Sequence, residues 1–313
     1  MSVKVTNGLP AGASAADAQP GRPRRHRRQA LEGWLFIAPV VLGILVFQFL
    51  PVMVSVYASF TDWSGLSEPE FIGLDNYRRM PDDPLLLETI ANTFYFSAGF
   101  IPLSIGLGLG LALLCTGRIR GIAFFRTAFF VPYVVNIVAV SLIWFWFYSP
   151  SQGVINGLLS LVGVDGPAWL ADSSWAMPAV IITSVWQGVG YPMIILLGGL
   201  QGIPTSLTEA ATIDGASAFR RLRSVTLPLL TPHLFFLLIT QFISSFQIFG
   251  IIFVMTSGGP ANATTVYIYY LYQNAFAYGR MGYASALAMV LFLFIGLITA
   301  VQWRLQRRWV FYG

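Results

Sequence analysis

Few side chains in this sequence are suited to acid–base, nucleophilic or metal chemistry. The 313 residues contain two histidines, His26 and His233, a single cysteine, Cys115, and a single lysine, Lys4. A catalytic zinc site usually takes three protein ligands, and a phosphate-binding loop of the GxxxxGK[ST] type needs a lysine after its glycines. The sequence therefore predicts no catalytic residue, no metal or cofactor bound by this chain, and no ATP hydrolysis by this chain alone.

Two clusters of amides and hydroxyls interrupt apolar runs and are suited to hydrogen-bonding a solute. They read WQGVGYPM at 186–193 and QFISSFQIF at 241–249. Amides bind the hydroxyl groups of a sugar, aromatic rings offer flat apolar faces, and the absence of cationic side chains favours a neutral solute. The predicted substrate-path residues are Gln187, Gly190, Tyr191, Ser245, Phe246 and Gln247. Small and polar residues also join helices inside membranes, and this packing alternative stays open at every position.

The elements that hold these clusters must lie in lipid. The chain is 56% hydrophobic and 10% charged, with a mean hydropathy of +0.69, whereas about a quarter of the residues in a soluble domain are charged. Six apolar runs are long enough to cross a bilayer as helices, at 33–60, 89–115, 127–149, 178–201, 233–255 and 282–303. Prolines at 39, 51, 102, 132 and 192 predict kinks. The predicted fold is an all-α integral membrane protein with six transmembrane helices.

The basic residues are distributed unequally between the two sides of these helices. The segments on the side of the N-terminus hold 15 of the 18 Lys and Arg residues, and the other side holds Arg78, Arg79 and Arg280 together with nine of the 13 acidic residues. Cytoplasmic loops carry the excess of basic residues. The sequence therefore predicts that both termini are cytoplasmic, with membrane lipid rather than nucleic acid as the partner of the basic clusters.

Three regions are predicted along the chain. Residues 1–30 are rich in Ala, Gly, Pro and Arg, which indicates a disordered basic tail. Residues 31–87 contain the first transmembrane helix and an extracytoplasmic loop, and this helix is too long to be the apolar part of a cleaved signal peptide. Residues 88–313 contain the remaining five helices. The apolar pieces at 154–164 and 264–279 are too short to span a bilayer.

A charged segment at 203–232 lies on the predicted cytoplasmic side. Pro204 is expected to pre-set the start of a first short helix, with Thr205 or Ser206 as its cap, and Gly215 is expected to end it in the left-handed conformation. Ser217 is expected to cap a second short helix, and Thr231 to begin the next span. The small, singly charged tip at 209–211 favours close docking to another protein, with an amphipathic loop lying among lipid headgroups as the alternative.

The motif at 209–228 reads Glu-Ala-Ala, three intervening residues, Gly, nine intervening residues, and Val-Thr-Leu-Pro. This spacing resembles the EAA loop of permease subunits of binding-protein-dependent ABC importers. The stretches SFTDW at 59, FIGLDNY at 71, FFRTAFFVPYVV at 124, GLQGIP at 199, MTSGGPANATT at 255 and GYASALA at 282 are similar to the carbohydrate-uptake branch, with its maltose-type and glycerol-phosphate-type members. The resemblance covers nearly all of the chain after residue 30.

The resemblance implies a type I ABC importer permease fold in the bacterial inner membrane, with a cytoplasmic coupling helix. It implies a second permease subunit, two ATP-binding subunits that hold ATP and Mg, and an extracytoplasmic solute-binding protein, with a sugar as the solute. The implied ATPase-coupling residues are Glu209, Ala210, Ala211, Asp214, Gly215 and Arg220. One alternative is an ion-coupled secondary transporter, which the absence of Asp, Glu and Lys from the six runs disfavours. Another is a membrane-embedded enzyme of lipid or glycan metabolism, disfavoured by the missing catalytic residues.

Overall fold

The structure, a computed structural model, describes residues 23–117 and 120–311. The greater part of the predicted tail, residues 1–22, lies outside the described residues, as does Arg118. By its own contacts the chain divides into two compact units, Met1–Val54 and Ser55–Gly313. The loop that follows the first span, at 59–87, therefore belongs to the larger unit.

The described residues are mostly helical. In chain order, helices α1 to α15 are Pro23–Ile44, Leu50–Ala58, Asp75–Arg79, Pro84–Leu114, Ile122–Val134, Ile137–Phe147, Val154–Leu161, Ser173–Gly188, Gly190–Gln201, Thr205–Ile213, Ala218–Arg221, Leu227–Phe246, Gly250–Met255, Tyr267–Tyr272 and Met281–Gln306. π-Helical turns occupy Leu45–Phe49, Leu222–Thr226 and Gln273–Ala277, and 3-10 turns occupy Met80–Asp82 and Trp169–Ala171. Strands β1, Thr61–Asp62, and β2, Glu70–Phe71, form an antiparallel pair.

Four helical segments in the described part of the chain are long and apolar enough to cross a membrane individually. They are Glu32–Ala58, Pro84–Leu114, Ala218–Met255 and Met281–Gln306. Two further pairs qualify when each bent pair is taken as one span: α5 with α6, and α8 with α9. Counted in this way, the spans agree with the six apolar runs in the sequence. The short apolar pieces form α7 and α14 and are not among the spans.

Two of the predicted spans are broken rather than kinked. The pair α5 and α6 is bent by 97°, and the pair α8 and α9 by 44°. Pro132 cannot donate a backbone hydrogen bond near the end of α5, and the Asn136 side chain accepts the Val138 N–H at 2.8 Å to begin α6. Pro192 likewise cannot donate to the Gly188 carbonyl, which lies at the break between α8 and α9. The prediction of one kinked helix at 127–149 is therefore wrong.

The prediction that the fifth span begins at Thr231 is also wrong. Helix α11 continues through the π-helical turn Leu222–Thr226 into α12, so the helix is unbroken from Ala218 to Phe246, and a short non-helical stretch at 247–249 then separates α12 from α13. Pro228 cannot donate to the Ser224 carbonyl, and a π turn allows a helix to change its hydrogen-bond pattern without ending. The loop at 203–232 is consequently joined to the span without an intervening coil.

Helix α1 begins within the predicted tail. Its first residue is Pro23, so residues 23–30 are helical rather than disordered. Proline is well tolerated in the first turn of a helix, and arginine, glutamine and alanine are good helix formers. The basic segment therefore extends the first apolar helix at its N-terminal end.

Helix α4 is central to the larger unit, where it contacts α8, α9, α12 and α14. Gly108 allows the closest approach to α9, because a Cβ atom there would lie 2.9 Å from the Cβ atom of Pro192. Near the other end of α4, Phe96 and Phe100 stack with ring centroids 5.4 Å apart and belong to a buried cluster with Ile252 of α13. The packing of α4 therefore helps to hold in place α8, α9 and α12, each of which begins or ends at a helix break.

The loop after the first span is hydrogen-bonded to, and packs closely against, the start of α15. The Asn76 side-chain amide donates to the carbonyls of Ser59, at 3.0 Å, and Thr61, at 2.9 Å. The Gly282 N–H donates to the Trp63 carbonyl at 3.0 Å, and a Cβ atom at 282 would lie 2.0 Å from the Thr61 carbonyl oxygen. The tertiary structure thus brings into contact three sequence stretches that resemble the carbohydrate-uptake permeases: SFTDW at 59, FIGLDNY at 71 and GYASALA at 282.

Candidate functional site

A cavity of about 550 Å³ lies where three helix breaks meet. The breaks fall between α5 and α6, between α8 and α9, and between α12 and α13. The polar residues that line the cavity are Tyr133, Ser184, Gln187, Ser244 and Gln247, and its aromatic carbon surface comes from Phe96, Phe100 and Phe249. Among the described lining residues, none carries a charged side chain.

Helix breaks supply polar backbone groups to this cavity. The last carbonyls and first N–H groups of a helix lack partners within it, and in lipid such groups are tolerated only where protein or a polar cavity satisfies them. The Gln187 side-chain amide donates to the Val135 carbonyl, which lies at the first break, over 3.5 Å. The arrangement offers amides, hydroxyls and carbonyls together with aromatic faces, which suits a polar uncharged solute.

Three of the predicted path residues lie at or beside this cavity. Gln187 and Gln247 line it from different breaks. Tyr191 stacks on Tyr133, a lining residue, with ring centroids 5.4 Å apart and planes 21° from parallel. The structure therefore brings together amides that are 60 positions apart in the sequence.

The other three predicted path residues face protein instead of the cavity. A Cβ atom at Gly190 would lie 2.6 Å from the Phe129 carbonyl oxygen, so the absence of a side chain there lets α9 approach α5. Ser245 is buried and donates to the Phe242 carbonyl at 2.8 Å. Phe246 is buried and meets Phe94 edge to face at 5.2 Å. Their substrate contact stays a prediction, for which the geometry offers helix packing as the alternative.

Sequence reasoning did not identify the contributions of α4 and of the first break. Phe96 and Phe100 lie in an ordinary apolar run, and nothing in their spacing distinguishes them from packing residues. A signal was present at the first break, because Asn136 shortly after Pro132 is a typical helix start following a helix end. That signal locates the break but does not show that Tyr133 faces a cavity.

The loop at 203–232 contains two short helices joined by a tight turn. The Ala216 N–H donates to the Ala211 carbonyl and the Gly215 N–H to the Thr212 carbonyl, and Gly215 has a φ of +73°. These bonds form a Schellman motif, which satisfies carbonyls at the end of α10. The Ser217 side chain accepts the Arg220 N–H and caps α11. The predicted roles of Gly215 and Ser217 in the turn are confirmed.

The expected cap of the first loop helix is wrong. Pro204 occupies the N-cap position without a side-chain hydrogen bond, and α10 begins at Thr205. Thr205 and Ser206 therefore lie within the first turn, too late to cap it. Proline stabilises the entry through its fixed φ angle, which is −58° here.

The surface of the loop combines charged and apolar groups. Arg221 joins the two helices, because its guanidinium donates to the Thr212 hydroxyl at 3.3 Å and to the Ala216 carbonyl at 3.2 Å. The predicted coupling residues Glu209, Ala210, Asp214, Gly215 and Arg220 are exposed, and Ala211 is half-buried. Ile213 is 86% exposed and Phe219 is 72% exposed. Exposed apolar groups rimmed by charges are typical of a docking surface.

A partly buried hydrogen-bond cluster that the sequence did not indicate surrounds Asp83. One carboxylate oxygen accepts the Leu86 N–H at 3.1 Å and caps α4. The other oxygen accepts the hydroxyls of Tyr270, at 2.6 Å, and Tyr283, at 2.8 Å. Burial by itself raises the pKa of Asp83, but the hydrogen bonds lower it by more. The pKa therefore lies below its ordinary value, and the carboxylate is ionised at neutral pH. Burial and the hydrogen bond to Asp83 raise the pKa of Tyr270 to about 12.

The chain is similar to a known protein family over most of its length. The family described as binding-protein-dependent transport system inner membrane component matches residues 84–310. This range contains both the loop at 203–232 and all three helix breaks.

Individual relatives cover almost the whole chain. The Probable ABC transporter permease protein YesP of Bacillus subtilis is 38% identical over 304 residues, which are 96% of this chain and 97% of that relative. The Trehalose/maltose transport system permease protein MalF of Thermococcus litoralis is 37% identical over 281 residues, which are 90% of this chain and 95% of that relative.

A solved structure has a similar fold. It is the crystal structure of a bacterial ABC transporter involved in the import of the acidic polysaccharide alginate, in which one chain matches with a TM-score of 0.76 and 25% sequence identity. The match covers 91% of this chain and 99% of that chain.

Proposed function

We propose that this chain, which belongs to the family of inner membrane components of binding-protein-dependent transport systems, forms half of the translocation path for a neutral carbohydrate in an ABC importer. The observation that carries the proposal is the cavity at which three helix breaks meet. Broken helices supply the solute sites of many transporters, because their free backbone groups can replace the water that a solute gives up. The family assignment does not favour the ion-coupled alternative.

The proposed solute class rests on the lining of the cavity and on the relatives. One relative is named for trehalose and maltose, which are uncharged, and the solved importer is described with an acidic polysaccharide. The described lining residues offer two glutamines, two serines and a tyrosine, with no arginine or lysine to pair with an anion. A pocket with amides and aromatic faces fits a sugar whose groups are hydroxyls.

We expect Gln187→Ala and Gln247→Ala each to raise the half-saturating solute concentration for uptake by about tenfold, because each removes hydrogen bonds from a desolvated site. The measurement is uptake of labelled sugar by the reconstituted complex, together with the amount of complex assembled. Ser245→Ala is the matched control, since its hydroxyl donates to a backbone carbonyl and does not line the cavity.

This comparison separates the path role from helix packing. Under the proposal, the two glutamine variants assemble normally but lose uptake at low solute concentration, and Ser245→Ala behaves like the parent. Parental uptake by both glutamine variants would contradict the proposed path.

The loop at 203–232 is proposed to dock onto an ATP-binding subunit. Its support is the exposed carboxylate of Glu209, the apolar side chains of Ile213 and Phe219, and the direct helical connection from α11 into α12. In this proposal ATP and Mg are held by two ATP-binding subunits, a second permease completes the path, and an extracytoplasmic binding protein delivers the solute. ATP must bind one conformation of the assembly more tightly than the other for transport to follow.

We expect both chain termini to be cytoplasmic, because the side that holds them carries most of the basic residues. Single-cysteine variants at two exposed positions test this orientation: Phe276→Cys, 68% exposed, and Ile213→Cys. A membrane-impermeant thiol reagent applied outside should label position 276 and leave position 213 unlabelled. Labelling of position 276 only from the cytoplasmic side would contradict the orientation.

A further inference from the structure

Helix α14 lies between the fifth and sixth spans and contacts the wall of the cavity. Phe249, which lines the cavity, meets Tyr272 of α14 with ring centroids 5.1 Å apart and Tyr269 at 6.3 Å. Tyr269 is also buried in the cluster that contains Phe96 and Phe100. A shift of α14 must therefore move Phe249 or separate its ring from those of Tyr269 and Tyr272.

Several hydrogen bonds hold α14 against its neighbours. At its first residue, the Tyr267 N–H donates to the Thr93 hydroxyl of α4 at 2.9 Å, and the Tyr267 hydroxyl donates to the Leu287 carbonyl of α15 at 2.8 Å. Both of these bonds join neutral groups. The bond from Tyr270 to Asp83 differs, because its acceptor is an ionised carboxylate, and such bonds are about twice as strong as neutral ones.

Asp83 is the point at which three helices are joined. It caps α4 through one oxygen, and its other oxygen accepts hydroxyls from α14 and α15. Arg79 and Arg280 line the small cavity of about 260 Å³ beside it, but neither forms a described ion pair with it. The positions of α14 and of the α15 start are thus linked to the start of α4 through a single carboxylate.

We propose that Asp83 is a positioning residue for solute entry, which holds α14 against α4 and α15 and so keeps the extracytoplasmic side of the cavity closed until the importer is engaged. The inference rests on the proposed function, because it takes the cavity as the solute path. Asp83 is not among the residues that line the cavity. Its effect passes through Tyr270 and α14 to Phe249.

The test measures access to the cavity from outside in the assembled complex, without ATP or binding protein. Ser184→Cys provides the reporter, since Ser184 lines the cavity and cysteine is close to serine in size. The reagent is a charged, membrane-impermeant methanethiosulfonate applied to the extracytoplasmic side. Native Cys115 is 2% exposed and belongs to a different buried cluster, so its labelling by a membrane-permeant thiol reagent in a parallel sample reports general loosening of the fold.

We expect Asp83→Asn to increase the labelling rate at position 184 by about tenfold, because both tyrosine hydroxyls lose a charged acceptor. Tyr283→Phe, which removes one of the two donors, should give a smaller increase in the same direction. Asp82→Asn is the matched control: it removes the same charge from the neighbouring, exposed position and should leave the rate unchanged. Cys115 should stay unlabelled in all of these variants.

Two results would overturn the proposal. One is a labelling rate at position 184 that is the same in Asp83→Asn and Tyr283→Phe as in Asp82→Asn. The other is an increase that Cys115 shares, which would show that Asp83 stabilises the fold as a whole. Failure of the path proposal would be seen separately, as parental sugar uptake by the Gln187 and Gln247 alanine variants.

Discussion

Gly215→Val should abolish solute uptake while the chain still inserts into the membrane. Gly215 has a φ of +73°, a conformation that a β-branched residue adopts only at a cost of about 1–2 kcal/mol or more. The turn would then reorient, and α10 would no longer present its exposed groups at the same angle to α11. The measurement is uptake by reconstituted complexes, together with co-purification of the ATP-binding subunit.

Gly215→Asn is the control for this effect, because asparagine tolerates the left-handed conformation better than other residues with a side chain. No atom lies within 4 Å of a Cβ atom built at position 215, so conformation and not crowding distinguishes the two variants. Uptake should be largely retained in the asparagine variant. Full coupling in Gly215→Val would show that the loop is only a membrane-surface segment.

Gly190→Ala should prevent correct assembly of the permease, although it adds a single methyl group. The new Cβ atom would lie 2.6 Å from the Phe129 carbonyl oxygen and 2.8 Å from the Phe130 Cα, both of which are backbone atoms that cannot rotate away. Overpacking of this kind typically costs about 1–3 kcal/mol, and the strain falls on the α5–α9 contact beside the cavity. The yield of assembled complex and its melting temperature measure the effect.

Gly198→Ala in the same helix serves as the matched control, because nothing lies within 4 Å of its Cβ position. It should be neutral or slightly stabilising, since alanine favours helices more than glycine does. If Gly190→Ala assembled as well as Gly198→Ala but lost uptake, position 190 would be a solute contact instead of a packing position.

The outcome at the predicted path residues shows what clustering in a sequence can reveal. Polar residues in an apolar run indicated helices that line the cavity, because an amide without a hydrogen-bond partner is costly in lipid. Two neighbouring residues in a helix face different directions, however, so Phe246 packs against Phe94 while Gln247 lines the cavity. The direction depends on where the helix breaks and on which neighbour it meets.

The sequence by itself determined the features that depend on local physics. Apolar length predicted the spans, since about 20 residues are needed to cross a bilayer. The turn at Gly215 and the cap at Ser217 followed from the conformational freedom of glycine and the short polar side chain of serine. At the start of α10 the local signals located the entry at Pro204 but named the wrong cap, because Pro204 itself occupies the N-cap position expected for Thr205 or Ser206.

Only the tertiary structure decided which distant residues meet. Asp83 accepts hydrogen bonds from the hydroxyls of Tyr270 and Tyr283, which lie 187 and 200 positions further along the chain. Gln187 and Gln247 reach the same cavity from separate helices. It also decided that the axis of α6 is bent by 97° from that of α5, whereas Pro132 in the sequence predicted only a kink. A helix break leaves backbone groups unpaired, and whether lipid, protein or a cavity receives them depends on the packing of all neighbouring helices, which no local stretch of sequence contains.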